Sequence, residues 1–453
     1  MIFSSITFLL LMMPLTLLGY RAMPSRARLP FLFCASLFFY GWGNPLWLLL
    51  LGFSLLLNYF GALLMVRGEK KRRSVLALLI ALNLLPLLIF KYAGLFRDTW
   101  NQLTGLSWNF PTPPLPAGIS FFTFQAMSYL LDVWRGESRV QRQFLVFGVY
   151  LSLFPQLVAG PIVRYTDLEE QLLRHPRPAW SEMRSGLFRF SVGLAKKVLL
   201  ADSMGRFWGQ VNRDFSSAGT LGAWLGLLAF SFQIFFDFSG YSDMALGLGE
   251  CLGFRFPENF RRPYMARSLT DFWRRWHMTL TGWFREYVYF PLGGSRRGRV
   301  RRDLNVLIVW ALTGLWHGAG WHFVLWGLYF AFLLILEKRF LLGHAFYERI
   351  PGILRQAGTF FLVFLGWGLF SGFGRPLFEA LLGLYGAASP EAKLLCISYV
   401  PMLLICGLFS FVPLPDRLRV KPGLSTAVCL LLLLLSLAAI TAEGYAPFVY
   451  FQF

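Results

Sequence analysis

Charge is what this chain has least of. Only 15% of its 453 residues are Asp, Glu, Lys or Arg, while 56% are hydrophobic and the mean hydropathy is +0.54. That much apolar surface exceeds what a water-soluble core of this length buries, which excludes an ordinary soluble globule and indicates a polytopic membrane protein. Acidic residues are the scarcer sign, 23 against 43 Lys and Arg, leaving a formal net charge of +20. In a soluble chain such an excess would suggest nucleic acid. Here it falls in short loops between apolar runs, where it sets topology and meets anionic lipid head groups or phosphates, so no nucleic-acid partner is expected. Cys34, Cys251, Cys396, Cys406 and Cys429 are scattered without a C-x-x-C pair and read as buried thiols. The chain has five histidines but no H-E-x-x-H and no His/Cys/carboxylate set at ligand spacing, so no metal site is expected. G-x-S-x-G is absent as well.

What is present is a series of apolar runs near the length of roughly 20 residues that crosses a bilayer. They are Ile2 to Tyr20, Phe31 to Val66, Ser74 to Phe96, Ala117 to Trp134, Phe144 to Val163, Gly186 to Ala201 and Leu221 to Leu248, followed by Leu304 to Trp316, Trp321 to Leu336, Gly352 to Phe370, Leu394 to Phe411 and Thr426 to Thr441. The run from Phe31 is too long for one helix and is punctuated by Gly41, Gly43, Asn44 and Pro45, which predicts two helices around a turn. Pro155 and Pro161 make Phe144 to Val163 a segment that dips into the bilayer rather than crossing it. The first run lacks a basic leader and a small-residue cleavage site, and is expected to be a membrane helix rather than a signal peptide. Basic loops at Arg21/Arg26/Arg28, Arg67 with Lys70 to Arg73, Arg135/Arg139/Arg142, Arg296 to Arg302 and Arg417/Arg419/Lys421 should face the cytoplasm. Both termini are then extracytoplasmic. No internal repeat is visible, so one integral membrane domain over residues 1–453 is expected.

One stretch breaks the pattern. Between Arg255 and Arg302 lie twelve arginines against Glu258, Asp271 and Glu286, interleaved with Phe, Trp and Tyr. It is too polar to span and too aromatic for a solvated loop, so an interfacial helix or a re-entrant segment is expected, with Gly293-Gly294 as a turn. An ionisable group in a membrane segment is costly and therefore a functional hint. His317, at the end of an apolar run, is either a base or a core histidine bonded to a carbonyl. His277 follows Arg274, Arg275 and Trp276, where head-group bridging is the plainer reading. His322 lies five residues past His317, off its helical face, while His175 and His344 sit in basic loops with no assigned role. Asp237 and Asp243 are six residues apart and share no face; each is expected to anchor an arginine of the basic stretch or to bond across a re-entrant turn. Lys91 and Asp132 lie near helix ends, where snorkelling accounts for them.

The runs FDFSGYSDMALGLGECLGF, FPENFRRPY, SLTDFWRRWHMTL, WFREYVYFPLGG and GLWHGAGWHFVLWG closely resemble the membrane-bound O-acyltransferase (MBOAT) family. MIFSSITFLL, PAGISFFTFQAMSYLLDVWRGE, FPQLVAGPIVRYTDL and PFVYFQF are similar to its bacterial branch, so the resemblance covers nearly the whole chain. Residues 232–327 form its core motif region.

That resemblance implies an all-α polytopic fold, a ring of tilted helices with re-entrant or interfacial segments around a central tunnel. It places His317 on the family's intramembrane histidine and His277 on the family's second position. It further implies a cytoplasmic thioester donor such as acetyl-CoA, used as substrate with no tightly bound cofactor. Arg261, Arg262, Arg267, Arg274, Arg275 and Arg285 would hold its phosphates. The acceptor would be an exported polysaccharide or an extracytoplasmic partner acetyltransferase, and the location the bacterial inner membrane. D-alanyl transfer from a phosphopantetheine carrier protein is the alternative within the family. A transporter or flippase is the alternative from another class, against which stands the lack of paired broken segments.

Overall fold

The computed structural model of the chain describes residues 1–67, 71–411, 422–444 and 448–449, and among these there is no β-strand. Lys70, Arg417, Arg419, Lys421 and most of the segment GYAPFVYFQF, on which parts of the orientation reading rest, lie outside the described residues. Among the described residues, six helices are long and apolar enough to cross a membrane: Trp47–Arg67, Arg72–Thr104, Phe215–Cys251, Gly352–Phe370, Pro390–Phe411 and Gly423–Ala442. Their leucine-rich faces point outward, as at Leu394, which is 70% exposed, and Leu404 at 69%. In water such faces would be costly; against lipid tails they are neutral.

The chain forms two compact units. The first comprises residues 1–191 with 241–258, the second 192–240 with 259–453. Within the first, the long run from Phe31 is split as expected, into helices Ser25–Gly41 and Trp47–Arg67. Asn58 and Asn83 join Trp47–Arg67 to Arg72–Leu87 through two reciprocal amide hydrogen bonds of 2.9 Å. Phe144 to Val163 is not one helix. Phe144–Ser152 stops where Leu153 turns extended (ψ 109°), and only the short turn Phe154–Leu157 follows.

Within the second unit, Arg299–His317 and Trp321–Leu336 form a close helical hairpin. Glycine makes the approach possible: a Cβ at Gly314 would meet the Phe323 carbonyl oxygen at 2.3 Å, and one at Gly327 would meet that of Trp310 at 2.2 Å. The polar stretch is neither a single interfacial helix nor a plain loop. It is broken into the turn Pro263–Met265 and the short helices Leu269–Trp273 and Met278–Phe284, with a wider turn at Arg285–Tyr289. Gly293 and Gly294 follow with φ of +103° and +56°, the turn the sequence predicts.

Irregular backbone among apolar side chains needs partners for its N–H and C=O groups. Buried Glu337 supplies one set: its carboxylate accepts from the Leu269 N–H (2.6 Å), the Thr270 N–H (2.8 Å) and the Thr270 hydroxyl (2.6 Å). Asn305 supplies another by donating to the carbonyls of Leu292 and Gly294. Glu337→Ala orphans three donors at once and should destabilise the protein by about 2–4 kcal/mol, whereas Glu337→Gln, which keeps one acceptor, should cost roughly half as much. Thermal unfolding of the purified protein in detergent measures both.

Candidate active site

The sequence candidates converge in the second unit. Two backbone hydrogen bonds clip residues 259–261 alongside 275–278: Arg261 N–H to the Arg275 carbonyl and Met278 N–H to the Asn259 carbonyl, both 2.9 Å. This clip brings Arg261 and Arg262 beside Arg274 and Arg275. Arg275 is half-buried and paired with Asp271 at 2.8 Å; Arg261, Arg262 and Arg274 are exposed. Arg267 is exposed on the same segment, with its carbonyl accepting from the Tyr347 hydroxyl. Arg285 is exposed too, at the start of the wider turn.

Arg262 and His277 are two of the three non-glycine residues with positive φ among the described residues, at +47° and +43°. Such strain persists only where the surroundings over-determine the backbone. For His277 the determinant is Asn259, 1% exposed, whose side-chain oxygen accepts from the Thr279 N–H (3.3 Å) and the Thr279 hydroxyl (3.0 Å) and lies 3.1 Å from His277 Nδ1. A backbone N–H can only donate, so the oxygen of Asn259 faces this cluster and Nδ1 carries the His277 proton. Nε2 therefore presents its lone pair, and it has no hydrogen-bond partner among the described residues. The imidazole is 2% exposed and packs at right angles to Phe238, with ring centroids 4.6 Å apart.

His317 ends its helix because Gly318 leaves it fully extended (φ −169°, ψ 162°). Its ring meets Trp316, Trp326 and Phe370 nearly at right angles, with centroids 5.1, 5.1 and 5.4 Å away. It lines a cavity of about 20 Å³, the space of a water-sized group, together with Asp237, Val449 and an otherwise apolar and aromatic wall that includes Phe238, Trp276 and Trp326. The Trp326 indole N–H has no acceptor among the described residues. His277 stands one ring behind: it touches Phe238, which lines the cavity, and Trp316, whose ring abuts His317. His322 packs on the Phe323 ring and is not part of the lining.

Asp237 differs from expectation: a lysine, not an arginine of the basic stretch, holds it. Asp243 pairs with Arg189 (2.9 Å), which also binds Glu258 at 2.6 Å, within the first unit. Asp237, 2% exposed, pairs with Lys197 Nζ at 2.8 Å, and its other oxygen accepts from the Val449 N–H at 2.9 Å. Lys197 itself is 1% exposed and lies 2.6 Å from Asp202. Sequence reasoning passed over Lys197 and Asn259. The first carried a signal, a lysine inside the apolar run of Gly186 to Ala201; the second, one polar residue among many, carried none.

Burial pushes the His277 imidazole from 6.5 down to about 3. The unfolded chain therefore binds a proton there that the folded chain refuses. His277 contributes stability that is full above pH 6.5 and is lost as pH falls from there towards 3, by up to about 1.4 kcal/mol per pH unit. Unfolding curves in detergent at about pH 7.5 and about pH 5 should show this loss, and His277→Gln should remove that part of it.

Residues 139–367 match the model of the MBOAT, membrane-bound O-acyltransferase family. The probable alginate O-acetylase AlgI of Azotobacter vinelandii is 34% identical over the whole of both chains. The peptidoglycan O-acetyltransferase of Helicobacter pylori is 34% identical over 87% of this chain and 81% of its own. The teichoic acid D-alanyltransferase of Bacillus subtilis is 27% identical over 56% of this chain and 68% of its own.

Proposed function

The chain belongs to the membrane-bound O-acyltransferase family and is a multi-pass membrane O-acyltransferase, and from that premise we propose that it moves an acetyl group across the bacterial inner membrane. The donor is acetyl-CoA on the cytoplasmic side. The acceptor is a hydroxyl of an exported polysaccharide or of an extracytoplasmic partner acetyltransferase. Membership of this family leaves no place for the transporter reading. Support for acetyl over D-alanyl transfer comes from the relatives: those named for O-acetylation match at higher identity and over more of the chain than the D-alanyltransferase.

The observation that carries the mechanism is the imidazole of His317 in a buried, aromatic-walled cavity. There it acts as general base: it takes the acceptor hydroxyl proton as the oxygen attacks the acyl carbon, the C–S bond breaks, and the thiol leaves with a proton. Three aromatic rings at about 5 Å fix the imidazole and leave the site little water. The Trp326 indole N–H is the donor available to the acyl oxygen. His277, with its tautomer set by Asn259, supplies a second lone pair behind the first ring shell. Arg261, Arg262, Arg267, Arg274, Arg275 and Arg285 hold the donor phosphates at the cytoplasmic mouth. Both termini are extracytoplasmic, and the whole chain works as one integral membrane domain.

His317→Ala and His317→Gln should each lower acylation of the exported acceptor by a factor on the order of 10² to 10⁴, while membrane levels of the protein stay at wild type. Full activity in either variant contradicts the assignment. Arg261→Glu combined with Arg274→Glu should raise the KM for acetyl-CoA with kcat nearly unchanged, the mark of lost uniform binding; steady-state kinetics of thiol release decide it.

A further inference from the structure

Asp237 does more than neutralise a lysine. A lone carboxylate or ammonium inside a membrane helix is costly, and Lys197 and Asp237 offset each other at 2.8 Å. Yet the pair also reaches a part of the chain far away in sequence. The second oxygen of Asp237 accepts from the Val449 N–H at 2.9 Å, and the ammonium of Lys197 lies 4.8 Å from the centre of the Phe448 ring. One buried ion pair thus grips two successive residues, one by its backbone and one by its ring. Phe448 is 1% exposed and Val449 is 6% exposed. Val449 and Asp237 both line the cavity that contains His317.

Such a wall has a chemical consequence, given the reading of His317 as base on which this inference rests. An imidazole that deprotonates an acceptor hydroxyl can also deprotonate water. The water oxygen would then attack the acyl carbon, the C–S bond would break, and free acid and thiol would result, wasting the donor. Shape and dryness of the cavity, not the base, decide between the two outcomes. We propose that Asp237 is a positioning residue: paired with Lys197, it docks the Phe448–Val449 segment as a wall of the His317 cavity, and that wall keeps water from the acyl donor.

The donor in this latch is a main-chain N–H, so proline removes it while leaving the ion pair whole. Full-length wild type, Val449→Pro and Val449→Ala are purified in lipid nanodiscs, and thiol release from acetyl-CoA is measured without an acceptor. Acyl content of the exported polymer is measured in cells carrying each variant. Loss of a hydrogen bond to a carboxylate should raise acceptor-free thiol release on the order of tenfold in Val449→Pro and lower polymer acylation, while Val449→Ala, which trims the wall but keeps the N–H, should raise release several-fold less. Equal acceptor-free release in the proline and alanine variants overturns the proposal, and so does loss of both release and transfer in a folded Val449→Pro protein. Phe448→Leu, which keeps bulk but removes the ring beside the ammonium, should also raise acceptor-free release. It decides the question where the proline variant does not fold, and unchanged release in it then overturns the proposal. His317→Ala, run alongside, scores the underlying reading: acylation that persists there refutes the base, whatever the Val449 variants do.

Discussion

Backbone that is not helical can sit among apolar side chains only when something other than water satisfies it, and in the second unit this requirement organises residues 259–298. Asn259 takes the Thr279 N–H, Glu337 takes the N–H groups of Leu269 and Thr270, and Asn305 gives to the carbonyls of Leu292 and Gly294. The Tyr264 hydroxyl reaches the Ser231 carbonyl, and Gln356 donates to that of Tyr264. Two of these features also order the candidate site residues. Asn259 sets the protonated nitrogen of His277, and the clip between 259–261 and 275–278 gathers four arginines on one short segment.

Buried charge is handled in the same way in both units. Arg189 with Asp243 and Glu258 closes one set; Lys197 with Asp202 and Asp237 closes the other. In neither is a charge left alone at depth, where it would cost several kcal/mol. The second set borders the cavity, so the residues that neutralise one another there also shape the space beside His317.

Much of this was legible in the sequence because it is written in local patterns. Apolar runs of span length located the long helices, and the Gly41 to Pro45 cluster located the break between two of them. The arginine and aromatic composition from Arg255 onward marked a stretch that is neither span nor loop, and motif resemblance singled out His317, which lines the cavity, and His277, which packs behind it. Other features depend on contacts far apart in the chain. That Asp237 would meet Lys197 and the Val449 N–H, 212 positions away, has no periodicity to betray it. For Asp237 charge alone suggested an arginine of the basic stretch, whereas its counterion is Lys197, and the carboxylate that meets the backbone of that stretch is Glu337. Phe144 to Val163 ended at Leu153, just before the first of the two prolines that flagged it.

The most direct measurement is a structure of the protein in a lipid nanodisc with an acetyl-CoA analogue whose thioester sulfur is replaced by methylene. The account predicts phosphate density against Arg261, Arg262 and Arg274, and the acyl carbonyl in the cavity beside His317 and Trp326. Acyl density in any other place, with the His317 cavity unchanged, would contradict it.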